Sequence, residues 1–148
     1  MIEIVDAAKS DIEAMADLLL SLFDQEADFT PDRARQMKGL QLILDNPHSG
    51  KLFVAHDQDQ AVGMVSLLFT ISTALGQPVC WLEDMVVRSD RRGLGLGSKL
   101  LTHAANFAQA RGYGRITLLT DKSNQEAQKF YARHGFAFSE MTPMRCVF

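Results

Sequence analysis

The chain has 148 residues, the length of one domain, with 47% hydrophobic and 22% charged residues. That balance excludes a disordered chain, a collagen-like chain and a small disulfide scaffold. The formal net charge of −3 argues against bulk nucleic-acid binding, yet leaves room for a local basic site that takes a phosphorylated ligand.

Residues 1–148 read as a single domain of alternating patterns. Ile2 to Val5 is a short first strand. Ser10-Asp11-Ile12-Glu13 has the form of a capping box. Behind it Ile12, Met15, Ala16, Leu19, Leu22 and Phe23 recur at helical spacing. Thr30-Pro31 reads as the N-cap and first residue of a second helix, whose stripe is Ala34, Met37, Leu40 and Leu44. Asn46-Pro47 ends it. The period then changes. Lys51 to His56, Ala61 to Thr73 and Val79 to Val87 read as three strands of an antiparallel meander, turned at Asp57–Gln60 and Gly76–Pro78.

After Arg88 a polar stretch leads into Arg92-Gly93-Leu94-Gly95-Leu96-Gly97. A helix follows through Leu100, Leu101, Ala104, Phe107 and Ala108, with Gly112 as its stop. Ile116 to Leu119 is a strand expected to be buried between helices. Ser123-Asn124-Gln125-Glu126 opens a last helix carrying Phe130, Tyr131 and His134, and Gly135 ends it. Phe136–Phe138 and Met144–Phe148 read as closing strands. The order is βααβββαβαββ. The fold class is α+β: one mixed, mostly antiparallel sheet with helices on both faces.

Cys80 and Cys146 lie far apart, and no CxxC pair or Cys/His cluster occurs. No metal site is expected, and both thiols read as reduced and structural. Glu3 and Asp6 stand where a secretory leader has a basic region, and no apolar run approaches membrane length. The expectation is a cytoplasmic protein with no membrane and no nucleic-acid partner.

The chemistry concentrates between Val86 and Leu101. A strand runs through polar residues into a glycine-rich turn that opens a helix, with Arg91, Arg92 and Lys99 around it. Glycines let backbone N–H groups converge, and the helix N-terminus adds partial positive charge. A pyrophosphate-bearing ligand suits such a site. A P-loop is excluded, because no Gly-Lys pair occurs in the chain. A GxGxxG dinucleotide fingerprint fails too: from Gly93 its last position is Ser98, and from Gly95 it is Leu100.

Arg92-Gly93-Leu94-Gly95-Leu96-Gly97 resembles the [Q/R]-x-x-G-x-[G/A] turn of the GCN5-related N-acetyltransferase (GNAT) family. The strand Leu82–Val87, Asn124 and the segment Phe130-Tyr131-Ala132-Arg133-His134-Gly135-Phe136 stand in family order. The likeness covers essentially the whole chain, an α/β/α arrangement, and is strongest from Trp81 to Phe138. It implies acetyl-coenzyme A as co-substrate, without a metal, and direct acetyl transfer to a primary amine through a tetrahedral intermediate. By the same resemblance, Val86, Val87 and Arg88 meet the pantetheine arm. Arg92, Gly93, Leu94, Gly95, Leu96, Gly97 and Ser98 bind the pyrophosphate. Asn124 hydrogen-bonds the pantetheine region. Tyr131 faces the sulfur as general acid for the thiolate. The resemblance also allows a homodimer, since closing strands in the family often pair between subunits.

The base must come from Glu83 or Asp84, adjacent acids in the apolar run Trp81 to Val87. A carboxylate on such a strand is costly unless it has a task. Alternation places Glu83 with Trp81 and Met85, and Asp84 with Leu82 and Val86. Glu83 is favoured as the base, with Asp84 as base or acceptor-amine anchor. Lys129 and Arg133 lie one helical turn apart and could meet a ribose phosphate; a solvated face is the preferred reading. The acceptor is expected to be a small-molecule amine. A protein N-terminus or lysine is the alternative, and a non-catalytic coenzyme A-binding module is the competitor from another class.

Overall fold

A computed structural model describes residues 1–26 and 30–148. Five strands form one sheet in chain order: β1 (Ile2–Asp6), β2 (Gly50–Asp57), β3 (Gln60–Ser72), β4 (Gln77–Val87) and β5 (Ile116–Leu118). Neighbours from β1 to β4 are antiparallel, whereas β5 runs parallel to β4. The helices are α1 (Ile12–Gln25), α2 (Arg33–Asp45), α3 (Leu96–Ala110) and α4 (Gln125–Arg133).

The sheet separates two cores. On one face α1 and α2 bring Met15, Ala16, Leu19 and Leu40 against Leu52, Val54, Met64 and Val86. On the other, α3 sets Leu96, Leu100, Leu101 and Ala104 against Phe53, Val65, Leu67 and Leu82. β2 and β3 are thus covered on both faces, which explains their near-continuous apolar runs. A two-residue turn joins them, with Gln58 at φ 49° and Asp59 at φ 66°. These are the left-handed conformations a tight hairpin requires, adopted here without glycine.

The caps fall a residue or two from their expected places. Asp11 Oδ2 accepts the N–H of Ala8 at 2.8 Å, ahead of the expected Ser10–Glu13 box. Asp32, rather than Thr30, caps α2 by accepting the Arg35 N–H at 3.2 Å. Asn124, rather than Ser123, caps α4 by accepting the Ala127 N–H at 3.1 Å. Both glycine stops hold. Tyr113 N–H reaches Ala108 O past Gly112 (φ 79°), and Phe136 N–H reaches Tyr131 O past Gly135 (φ 90°).

Two expectations about the end of the chain need correction. No strand forms at Phe136–Phe138 or Met144–Phe148; among the described residues the sheet ends at β5. Neither run pairs with the free edge of β5, and Pro143 removes a donor from the intervening segment. Phe138, Met141, Met144, Val147 and Phe148 are exposed. β5 is also less buried than expected. It is a three-residue edge strand, half-buried throughout, and Leu119 beyond it is exposed.

Candidate active site

β4, like β2 and β3, contributes to both cores. Leu82 belongs to the α3 cluster, and Val86 to the α1–α2 cluster. Strict alternation would put both on one face. A bulge at Glu83 breaks the alternation: Ser66 pairs with Asp84 and Leu67 with Leu82, so Glu83 has no partner on β3. The face assignment from simple alternation is therefore corrected. Met85 packs with Leu82 against α3. Asp84, two residues before the buried Val86, turns with it toward α1 and α2.

Ser66 supports the bulge. It is fully buried, its hydroxyl oxygen accepts the Asp84 N–H at 3.0 Å, and its Oγ lies 3.3 Å from Asp84 Oδ2. A buried backbone donor without a partner would cost about 1–3 kcal/mol, so a serine in the run Met64–Leu68 has a structural reason. Burial pushes the Asp84 carboxyl up to about 7, and the charges of Glu83 and Glu26 push the same way against the opposing Ser66 bond. Glu83 itself is exposed.

Tyr131 lies half-buried on α4, edge-on to Phe130 and Phe136 with ring centroids 5.3 and 5.6 Å away. Burial, and then the charge of Glu26, raise its hydroxyl to about 12, so it holds its proton throughout the neutral range. Glu26, the residue after α1, thus acts electrostatically on both Asp84 and Tyr131.

β4 runs five residues past its last pairing with β5, which joins Leu82 to Leu118. From Glu83 to Val87 its outer edge has no strand beside it among the described residues. The Arg88 N–H donates to Val62 O at 2.8 Å, so it faces β3 rather than this open edge. The main chain of Val87 faces outward, and its carbonyl accepts Arg92 Nε at 3.0 Å.

The loop that follows is pinned from outside. Arg88 makes a two-pronged bond to Asp90 at 2.7 and 3.0 Å, and Arg91 pairs with Asp57 at 2.8 Å. Gly93 (φ 75°) and Gly95 (φ 82°) take left-handed conformations that an L side chain would strain. Gly95 is the N-cap of α3 and has no side chain with which to cap it. The first N–H groups, of Leu96, Gly97 and Ser98, thus lack both an intrahelical acceptor and a side-chain cap. Gly97 lies beside Phe130 and Met85: a Cβ there would make ordinary contacts, 3.4 Å from the Phe130 ring and 3.6 Å from Met85 Cε.

These groups line a cavity of about 340 Å³ that takes in Val87, Arg91, Arg92, Gly93, the α3 N-terminus, Phe130 and Arg133. A shallower groove of about 450 Å³, between β1 and α3, contains none of the candidate acids. Leu94 is exposed at the loop tip. The sequence reading missed Ser66, Glu26 and Phe130. Ser66 had a signal, a lone hydroxyl in an apolar strand; Glu26 had none, because only the fold carries the end of α1 to β4.

A model of the Acetyltransferase (GNAT) family matches residues 12–136. The chain is 27% identical over 133 residues to the uncharacterized N-acetyltransferase YhfO of Bacillus subtilis (strain 168), a match covering 88% of this chain and 86% of that one. Over 57 residues it is 44% identical to streptothricin acetyltransferase of Streptomyces lavendulae, covering 38% and 30% of the two chains. The crystal structure of a possible acetyltransferase from Clostridium difficile 630 superposes with a TM-score of 0.87 at 19% identity, covering 100% and 99%, a likeness of fold. Among the described residues, no helix is long and apolar enough to cross a membrane.

Proposed function

Because this chain belongs to the acetyltransferase (GNAT) family and is an acyltransferase, we propose that it moves the acetyl group of acetyl-coenzyme A directly to a small, positively charged primary amine in the cytoplasm. The observation that carries this reading is the junction of β4 and α3. There an uncapped helix N-terminus, two left-handed glycines and three arginines meet around one cavity. Uncapped amides and arginines suit a pyrophosphate.

Acetyl-coenzyme A supplies an acetyl thioester, already activated toward an amine. The loop from Arg92 to Ser98 holds the pyrophosphate. The outer main chain of Met85 and Val87 receives the pantetheine arm as an added strand, with Val86 behind them in the core. Asn124, whose oxygen is taken by the α4 cap, turns its side-chain nitrogen to the same arm. A main-chain N–H on that edge donates to the carbonyl oxygen as charge builds there.

Asp84 is the base that fits best. Its carboxyl titrates at about 7, near the working pH, as general-base efficiency favours. Glu83 stands in the bulge beside it and anchors the acceptor's charge, together with Glu26. Tyr131 keeps its proton and donates to the departing sulfur. Neither α1 nor β4 contains a Lys or Arg. The carboxylates of Asp84, Glu83 and Glu26 suit a cationic acceptor more than a phosphorylated amine; the Arg33, Arg35 and Lys38 side chains belong to α2.

The test is thermal unfolding with acetyl-coenzyme A, ATP and NAD in parallel. Acetyl-coenzyme A at a hundred times its dissociation constant should stabilise by about 2.7 kcal/mol. That is a shift of several degrees at this size, with no comparable shift from the other two. A larger shift with ATP or NAD would overturn the reading.

A further inference from the structure

The two oxygens of the Asp84 carboxylate are not equivalent. Oδ2 lies 3.3 Å from Ser66 Oγ, and the same Oγ lies 3.0 Å from the Asp84 main-chain nitrogen. A hydroxyl has one proton to give. Because the Asp84 N–H donates to the Ser66 oxygen, that proton is directed at Oδ2. Ser66 is fully buried, so bulk water does not reach it. Oδ1, in contrast, makes no hydrogen bond among the described residues. It is not sealed off either: the buried side-chain polar atom left without a partner there is Arg91 Nε. Oδ1 therefore reaches solvent from a half-buried side chain. The charges acting on this carboxyl are Glu83 on its own strand and Glu26 after α1, both of which favour its proton, and Ser66 is the group that opposes them. No Lys or Arg occurs in α1, β3 or β4. Those of α2 are exposed, with Arg33 on Asp17 at 2.9 Å and Arg35 on Asp32 at 3.5 Å. Tyr131 of α4 stays neutral.

We propose that Ser66 is a positioning residue: by holding Oδ2 it makes Asp84 a one-sided base, whose Oδ1 receives the acceptor's proton. This rests on the acetyl-transfer reading and deepens it. Oδ1 takes one proton from the acceptor's ammonium group, and the nitrogen lone pair so freed attacks the thioester carbonyl. Ser66 also steadies the ionised carboxylate where burial and two like charges oppose ionisation. Without the hydroxyl, the carboxyl would keep its proton to higher pH, and neither oxygen would be fixed toward the acceptor. The bulge is what makes the arrangement possible, because it sets Asp84 rather than Glu83 opposite Ser66.

The test compares Ser66→Ala, Ser66→Cys and Ser66→Thr with the wild type in two measurements. One follows the Asp84 carboxyl carbon by NMR through a pH titration of the unliganded protein, the signal being assigned by its loss in Asp84→Asn. The other is the pH profile of kcat for acetyl transfer to butylamine and 1,4-diaminobutane. Ser66→Ala should move both the NMR midpoint and the acid limb of the profile up by about one pH unit, a tenfold loss of rate below the midpoint. Ser66→Cys keeps the volume but donates weakly, and it should behave like the alanine variant. Ser66→Thr keeps the hydroxyl and should return both readouts toward the wild type. A role confined to holding the bulge predicts lower thermal stability with midpoint and limb unmoved. That result would overturn the proposal and leave the acetyltransferase reading standing, as would an equal shift in all three variants. Absence of transfer to either amine by the wild type would overturn the acceptor reading and the role of Ser66 with it.

Discussion

Asp84 concentrates the account at the scale of a single residue. Its carboxyl is raised to about 7 in the folded chain, against about 3.9 in an unfolded one. The folded state therefore binds more protons between those values. Its contribution to stability is full below about pH 4 and is lost as pH rises through about 7. Asp84→Asn removes that loss while keeping an oxygen for Ser66. Unfolding titrations from pH 4 to 8 should show the variant gaining on the wild type by a few kcal/mol over this window, then levelling off. A difference independent of pH would contradict the buried, uncompensated carboxylate. The same substitution should cut turnover about 10²-fold or more and abolish the rise in rate between pH 6 and 8. Glu83→Gln should keep that rise and chiefly increase KM for the amine. Tyr131→Phe should lower kcat by a similar 10²-fold with little change in binding of acetyl-coenzyme A. The sequence made the pair Glu83-Asp84 visible as acids in an apolar strand. It ranked Glu83 first, because simple alternation does not foresee the bulge that leaves Glu83 unpaired and turns Leu82 away from Val86.

At the scale of elements, periodicity located the four α-helices and five strands of the described residues, and errors gathered where local signals compete. Ser123 and Asn124 are both good caps, and only the fold selects Asn124. Phe136–Phe138 has strand-like side chains but does not pair with the free edge of β5, so a pattern sufficient in β5 fails further along the chain. Glycine positions give a direct test of element geometry. Gly39 lies inside α2, and a methyl group added there would meet nothing within 4 Å, so Gly39→Ala should stabilise by about 0.5–1 kcal/mol. Gly95 has equal room but sits at φ 82°, and Gly95→Ala should cost about 1–2 kcal/mol and weaken acetyl-coenzyme A binding as well. Opposite signs for the two substitutions in thermal unfolding would support the loop geometry. A neutral Gly95→Ala would contradict it.

For the whole molecule, the decisive feature is that β4 is held from both sides and then left open at one end. Both cores grip it through Leu82 and Val86, so the open edge from Glu83 to Val87 is set in a rigid frame. The loop and α3 begin where that edge ends, and α4 brings Phe130 and Arg133 to the cavity there. A donor held along β4 and an acceptor drawn in by Asp84, Glu83 and Glu26 would then meet at the bulge. The loop motif and the Phe130–Phe136 segment made the donor side legible in the sequence. The acceptor side was not, since it is assembled from α1, β3 and β4, which no local pattern joins. The most direct measurement is mass spectrometry of a panel of small cationic amines, phosphorylated amines and short peptides incubated with the protein and acetyl-coenzyme A. The account predicts products bearing one added acetyl group among the small cationic amines, formed with matching release of free thiol and lost in Asp84→Asn. Acetylation confined to phosphorylated amines or peptides would contradict the acceptor class, and no acetylated product from any member would contradict the transfer itself.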